Sequence, residues 1–395
     1  MSLVNPVETA HSPRRGEDDM RIMHLIPGNL YGGVETFLVA LARYKQLAPR
    51  LRQEFILLYK GRLSDELAAE GQTIHFIPPA RLSRPWTVWR SRRALGMLLR
   101  ERPCRVVVSH HTWPLVVYGP ALRGIRQPVV LYLHGPSGCR GWLDWWASRQ
   151  RPDRVIAVSR HTLETFRDTF PDVPAEVIHY PTPWPESAFS LAETEREALR
   201  AELDTPADAV VILQASRMER WKGQDVHLAA LALLKDVPKW VCWMAGGAQR
   251  PQEARYFEAL RRQTAQAGLE GRVRFLGERR DVRRLMAATD IYCQGNRGPE
   301  GFSLAFLEAL TAGLPIVTSA LGGALEMIDD SCGMLVPVEQ PEKLAACLRA
   351  LITDPIRRNK MGRGATERAS ALSDPGRQVA AVQAALLASL RDPSR

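Results

Sequence analysis

The sequence predicts two doubly wound α/β units, each built on a parallel sheet. Three observations predict this. At 395 residues the chain is too long for one ordinary core, and two units of somewhat under 200 residues are the natural expectation. Short β-branched runs alternate with stretches of helical periodicity along its whole length. The alternation halts once, at the proline-rich YPTPWPES (180–187), and then starts again. Strand–helix alternation repeated twice means two parallel sheets. The expected boundaries are a disordered leader over 1–19, a first unit over 20–186 and a second over 187–375. A C-terminal helix, 376–392, is expected to pack back on the first unit.

In the first unit, RIMHLIP (21–27), EFILLY (54–59), TIHFI (73–77), RVVVSH (105–110), VVLYLH (129–134) and RVIAVS (154–159) read as strands. Helical periodicity covers 34–44, 88–100 and 162–170 between them. In the second unit, VVILQAS (210–216), KWVCWMAG (239–246), RVRFLG (272–277), DIYCQG (290–295), PIVTS (315–319) and GMLVPV (333–338) read as strands. Helices are expected over 224–235, 252–267, 282–288, 303–313, 341–352 and 376–390, with Asp281 as the N-cap of the third.

Composition is globular, 45% hydrophobic and 24% charged, with no apolar run long enough to span a membrane. The first 19 residues lack a secretory h-region. Six scattered cysteines with no CxxC argue against a disulfide framework or a zinc site and suit a cytosolic protein. The net charge of +10 is uneven: residues 1–186 hold 25 Lys and Arg against 17 Asp and Glu, the remainder 28 against 26. A basic first half points to an anionic partner, whether a phosphate-bearing ligand, an acidic membrane surface or nucleic acid.

Ligands of doubly wound sheets bind beyond the carboxyl ends of the strands, so the chemistry is sought in the residues that follow strands. After the first run, Gly32-Gly33 opens a helix whose free amides suit an anion; the same pair also suits a plain tight turn. After VVLYLH comes His134-Gly135, a histidine that could meet a sugar hydroxyl or a developing charge, or be purely structural. After VVILQAS, Arg217 and Lys222 are two cations five residues apart, matched to a diphosphate or to a solvated basic turn. Gly246-Gly247 and Gly277 are close-approach turns. GNRGPEGFSLAFLEALTAGLPIV (295–317) is the densest stretch. Gly301-Phe302-Ser303-Leu304 enters an apolar helix whose amides face the same diphosphate, and Glu308 lies on that helix. A carboxylate on so apolar a helix needs hydrogen-bond donors, from a ribose diol or from a buried arginine or backbone. Glu300, outside the helix, is left to reach what lies beyond the diphosphate.

These residues resemble a family 4 retaining glycosyltransferase of the GT-B fold. The resemblance rests on Gly32-Gly33-Val34-Glu35, His134-Gly135, Arg217 to Gly223, Gly246-Gly247, Glu300-Gly301-Phe302 to Glu308, the AxxxGxP that follows, and Gly322-Gly323 to Glu326. It runs from about Arg21 to the C-terminus and is strongest over 210–350. It implies two Rossmann-like domains facing across a cleft, the first binding acceptor and the second a nucleotide sugar. It implies that Arg217 and Lys222 neutralise the leaving diphosphate and that Glu308 holds the ribose. Glu300 would bond the donor sugar and His134 approach its reacting carbon. Gly33 and the 301–304 amides would complete the phosphate cradle, with the base near Leu276, Gly277 and Glu278. The sequence departs from the family in Ser303, where glycine is commoner, in QGNRGPE, which lacks the usual Pro-Ser, and in a His-Gly where His-Asp is usual. The implied reaction transfers a hexosyl group from a UDP-, GDP- or ADP-sugar, UDP favoured, to a glycan, lipid-linked or secondary-metabolite hydroxyl. It needs no metal and no cofactor.

Two stretches of the first unit suit an anionic acceptor or a membrane surface. Residues 81–105 carry eight arginines, including Arg92 and Arg93, with Trp86 and Trp89; residues 141–151 carry Trp142, Trp145 and Trp146. The plainer alternative is a solvated basic helix over ordinary core. Peripheral attachment to the inner face of the membrane is the matching expectation for localisation. The competing functions are a GT-B nucleotide-sugar epimerase or hydrolase, a catalytically dead nucleotide-sugar binder and a basic nucleic-acid-binding protein.

Overall fold

The computed structural model describes residues 20–136, 142–167 and 169–390; the leader over 1–19 lies outside them. The first unit runs β1 (Met20–Ile26), α1 (Gly33–Arg43), β2 (Leu51–Leu57), α2 (Arg62–Ala69), β3 (Thr73–Phe76), α3 (Pro85–Glu101), β4 (Val106–His110), α4 (Thr112–Leu122), β5 (Val129–Leu133), α5 (Trp142–Ser148), β6 (Arg154–Ala157), α6 (Arg160–Arg167) and β7 (Ala175–Val177). The second runs α7 (Glu193–Glu202), β8 (Val210–Ala215), α8 (Gln224–Ala232), β9 (Trp240–Ala245), α9 (Pro251–Gln266), β10 (Val273–Gly277), α10 (Val282–Ala287), β11 (Ile291–Gln294), α11 (Leu304–Thr311), β12 (Ile316–Ser319), α12 (Ala324–Met327), β13 (Gly333–Val336), α13 (Pro341–Thr353), α14 (Pro355–Ser373) and α15 (Pro375–Ala388).

The first sheet has strand order β3-β2-β1-β4-β5-β6-β7 and the second β10-β9-β8-β11-β12-β13, with every pairing parallel. Residues of β4, β5 and β9 are buried from end to end, so these central strands are covered on both faces. That is why they read as continuous apolar runs rather than alternating ones. The twelve expected strands are present within a few residues, and β7 is an addition. The expected helices are present too; α2, α4, α5, α7, α12 and α14 are additions.

One expected detail is corrected. Asp281 is the N-cap residue of α10 but makes no side-chain cap. Arg279 takes both carboxylate oxygens at 2.7 Å instead, and a bidentate ion pair outcompetes a neutral amide donor.

The connection between the units is fixed from both sides. Tyr44 Oη donates to the carbonyl of Thr182 at 2.9 Å, and the Thr182 amide donates to the carbonyl of Ser373, also at 2.9 Å. Trp184 is stacked between the Arg43 guanidinium, 3.9 Å from its ring centroid, and that of Arg283, at 3.6 Å. One arginine comes from each unit, so the indole bridges them. α15 contacts the Lys45–Leu47 turn that follows α1.

Candidate active site

A doubly wound sheet opens a crevice where its strand order reverses. The reversal falls between β1 and β4 in the first sheet and between β8 and β11 in the second. The segments after those strands carry Gly32 and Gly33, His110 and His111, Arg217 and Lys222, and the stretch from Gly295 to Leu304. The two crevices share a cavity of about 850 Å³. The first unit lines it with Tyr31, Thr36, Arg43, Arg62 and Glu66, and the second with Arg217, Gly246, Gly247, Glu278, Arg283, Ala305 and Glu308; Trp184 lies between.

Arg217 is half spent. Its Nη2 pairs with Glu219 at 2.9 Å, while its Nη1 is buried without a hydrogen-bond partner. A buried guanidinium N–H left unmet is costly unless something arrives to meet it. The positive field of Arg217 reaches the other wall: burial raises the carboxyl pKa of Glu35, and Arg217 works against that rise together with backbone hydrogen bonds. Glu35 accepts from the Gly32 amide at 2.9 Å and so organises the first turn of α1. A Cβ at Gly33 would lie 3.7 Å from Leu304, so the N-termini of α1 and α11 converge across the cleft. Both present amides with no intrahelical partner. Ser303 caps α11, its side chain accepting from the Phe306 amide.

Glu308 is the complementary group. It is partly buried and lines the cavity, and its carboxylate has no hydrogen bond or ion pair among the described residues. Burial pushes its carboxyl up to about 7, with the Arg283 guanidinium pulling the other way.

Lys222 and Glu300 are brought together, though neither lines the cavity. Lys222 Nζ lies 2.8 Å from Glu300 Oε1, which also accepts from Gln294 at 2.7 Å and Asn296 at 2.9 Å. Burial pushes the Glu300 carboxyl up, but Lys222, Asn296 and Ser303 outweigh it and hold it below the usual range. Lys222 therefore neutralises Glu300 first, which corrects the expectation of two free cations on one turn. Gly277 accepts from the Gly246 amide at 2.7 Å, which joins the Leu276-Gly277 strand end to the Gly246-Gly247 turn. Phe302 is buried and crosses to the first unit, where it stacks on His179 with centroids 4.8 Å apart and meets Tyr180 edge-on.

His134 needs the largest correction. Both its ring nitrogens are engaged: Nε2 with His110 Nδ1 at 2.8 Å, and Nδ1 with Tyr180 Oη at 2.7 Å. His110 Nε2 in turn meets His24 Nδ1 at 3.0 Å. Burial and the neighbouring histidines hold His134 neutral, its pKa well below 6.5. No nitrogen is left for a sugar hydroxyl in this conformation. The backbone of His134-Gly135 does reach the site, against Gly301. The missing neighbouring carboxylate is replaced by Tyr180, a partner that only the fold supplies. Arg283 and Trp184 were not singled out by sequence reasoning; Glu35 and Glu326 were named only within the motifs that carry the resemblance, with no role given to either.

Trp86, Trp89, Trp142, Trp145 and Trp146 are all exposed. α3 and α5, which carry them, both pack on α4. Arg93 lies over Trp89 and Arg149 over Trp145. Arg92 differs from its expected place on an anionic acceptor or membrane surface. It turns inward to donate to the carbonyl of Val117, and burial is the largest influence lowering its pKa.

Comparison with known proteins agrees with this geometry. A model described as Glycosyltransferase Family 4 matches residues 31–181, and one described as Glycosyl transferases group 1 matches residues 195–368. A GDP-mannose-dependent monoacylated alpha-(1-6)-phosphatidylinositol monomannoside mannosyltransferase of Corynebacterium glutamicum is 29% identical over 68% of this chain and 72% of its own. The lipopolysaccharide core biosynthesis mannosyltransferase LpsB of Rhizobium meliloti is 27% identical over 77% of this chain and 81% of its own. Among solved structures, Anabaena HepE in complex with UDP-glucose superimposes with a TM-score of 0.81 at 24% identity, covering 94% of this chain and 99% of that one. A glycosyltransferase from Rickettsia africae does so with 0.83 at 18%, covering 95% and 100%. With both units matched in order by these family models, and the sheets arranged as they are, the chain belongs to the family 4 glycosyltransferases of the GT-B fold.

Proposed function

We propose that the cavity binds a nucleoside-diphosphate hexose and that the enzyme passes the hexosyl group to an acceptor hydroxyl with retention of configuration. The observation that carries this is that Arg217 and Glu308 line one cavity, each with a side-chain group that lacks a hydrogen-bond partner. A buried guanidinium nitrogen of Arg217 calls for an anion, and the unpartnered carboxylate of Glu308 calls for hydroxyl donors. A nucleotide supplies both, its diphosphate to Arg217 and to the converging α1 and α11 amides, its ribose diol to Glu308. The base would lie along Gly246, Gly247 and Glu278. The hexose would extend from the diphosphate toward Glu300, where Asn296, Gln294 and Lys222 set the carboxylate. As the glycosidic bond to the diphosphate breaks, charge grows on the leaving oxygen, and preorganised positive groups there lower the barrier most. The acceptor attacks from the face the diphosphate leaves, and the departing phosphate oxygen takes its proton.

The base is decided by experiment. Among the proteins compared, one is named for GDP-mannose and another was solved with UDP-glucose. A thermal-shift screen against UDP-, GDP- and ADP-hexoses should give a clear rise with one base; no rise with any overturns the donor-site reading.

We further propose a lipid-linked acceptor at an anionic membrane surface. The five exposed tryptophans on α3 and α5, two of them under arginines, support it. No helix of the described residues is long and apolar enough to cross a membrane, so any attachment through them is peripheral. Vesicles containing anionic lipid should co-sediment the protein at low salt, and Trp86→Ala with Trp89→Ala should reduce the bound fraction several-fold. Equal binding to neutral vesicles, or none to either, overturns the surface assignment.

A further inference from the structure

Glu326 belongs to the second unit, on α12, yet its carboxylate is spent on the first. Its Oε2 accepts from the Arg160 amide and its Oε1 from the His161 amide, both at 2.9 Å. These are the first two amides of α6. The third, of Thr162, is met at 3.0 Å by the helix's own cap, Ser159 Oγ, and the fourth, of Leu163, by the Ser159 carbonyl at 3.0 Å. An α-helix leaves its first amides without intrahelical partners. The Leu163 bond is the first intrahelical one; of the three amides before it, the chain satisfies one locally and the other two from the opposite unit. Separation of the units would hand those two amides to water, and the negative charge would leave the positive end of the helix dipole.

α12 is also joined to the loop that carries Glu300. The Gly323 amide donates to the Glu300 carbonyl at 2.8 Å, and a Cβ on Gly323 would sit 1.9 Å from the Gly301 carbonyl oxygen. The loop itself touches the first unit: a Cβ on Gly301 would come within 2.8 Å of Gly135 Cα, the His134 carbonyl and Thr162 Oγ1. From behind, Arg368 on α14 donates to the carbonyls of Glu326 and Met327. The cap on α6, the Glu300–Gly301 loop and the His134–Gly135 turn thus form one packed unit, assembled only when the two halves meet.

We propose that Glu326 is a positioning residue that couples closure of the two units to the placement of Glu300 against the first. This rests on the donor-site reading above and adds a residue that does not line that cavity. Two charge-assisted hydrogen bonds, net of the water they displace, favour the closed arrangement by roughly ten- to a hundredfold. That is enough to populate closure and weak enough to let product leave. Arg217 and Glu308 both belong to the second unit and are not part of the joint, so their contacts with the nucleotide survive its loss and only the α1 amides withdraw with the first unit.

The test compares the parent with Glu326→Ala, Glu326→Gln and Arg160→Pro. Proline is favoured at the first position of a helix and lacks the amide hydrogen, so Arg160→Pro removes one of the two bonds without touching the second unit. It keeps the test decisive should Glu326→Ala fold poorly. In Glu326→Ala, kcat should fall roughly ten- to a hundredfold, with the nucleotide Kd weakened by much less than kcat falls. Hydrogen exchange at the Arg160 and His161 amides should quicken at least about tenfold with donor bound. Arg160→Pro should lower kcat less, in the same direction, and Glu326→Gln, which keeps one acceptor, should recover part of the loss. A parent-like kcat in Glu326→Ala or in Arg160→Pro overturns the inference, as does a fall in nucleotide affinity that tracks the fall in kcat. A parent that binds no nucleotide overturns the donor-site reading instead, so the two failures are distinguishable.

Discussion

Turnover of Arg217→Ala is expected to fall at least about a hundredfold, the usual cost of losing one preorganised donor to a developing anion. The guanidinium has two faces, and only one is committed, to Glu219. The other, Nη1, is buried and unmet. Its removal strands nothing in the protein except Glu219, which keeps a hydrogen bond from the Trp221 indole, so the loss should appear in rate rather than in folding. Arg217→Lys should sit between, because a lysine keeps the charge but not the fork. Lys222→Ala should also lose at least about a hundredfold, by a different route. It leaves Glu300 buried with only the neutral Gln294, Asn296 and Ser303 beside it, so the carboxyl pKa should rise. Activity should then recover partly at higher pH, where Glu300 ionises again; Arg217→Ala should show no such recovery. Steady-state kcat measured from pH 6 to 9 in both variants checks this. Rates near the parent in both would remove the phosphate-clamp assignment.

The fold was readable because its strands are buried on both faces. A covered parallel strand is a continuous β-branched run, and VVV (106–108) and VVLYL (129–133) announce themselves as such. β7 and the helices α2, α4, α5, α7, α12 and α14 gave weaker signals: the first is three residues long, and α4 is apolar almost throughout, so it has no polar face to set a period. The site was readable wherever a residue directly follows a strand, as with Arg217 and Gly246. It was not readable where the partner comes from elsewhere in the chain. His134 looks isolated beside Gly135, but it meets His110 and Tyr180, and His110 in turn meets His24, contacts made only when β1, β4 and β5 lie side by side and the chain after β7 returns to them. Lys222 looks free until β8 and β11 pair and bring Glu300 to it. Asp281 reads as a cap until Arg279 folds over it. In each case the local sequence names a group correctly and a nonlocal competitor takes its hydrogen bonds.

Glu308→Gln is expected to weaken donor binding about tenfold or more at pH 8, the worth of hydrogen bonds to a charged group, and to leave it nearly unchanged at pH 6. The difference follows from the titration of the carboxyl. Its ordinary value is 4.5, and burial lifts it to about 7 in the ligand-free protein. The folded chain therefore holds a proton that the unfolded chain has released between those values. Its contribution to stability is greatest below about pH 4.5, declines as pH rises through 7, and is lost above. Glu308→Gln should accordingly match the parent's melting temperature only below about pH 4.5 and exceed it at pH 7 and above. Ribose hydroxyls reverse the preference, because they donate to the ionised form and pull the pKa back down. Donor binding near pH 6 should then release a proton from the parent, and donor affinity should climb with pH up to about 7 before levelling. A nucleotide sugar is the right probe, since its diphosphate is fully ionised across this range and adds no proton of its own. Calorimetry in two buffers of different ionisation enthalpy counts the released protons directly. If the glutamine variant releases as many as the parent at pH 6, or binds as tightly at pH 8, Glu308 does not hold the ribose. The burial that makes this carboxylate costly in the empty protein would then have to be met by some other ligand group.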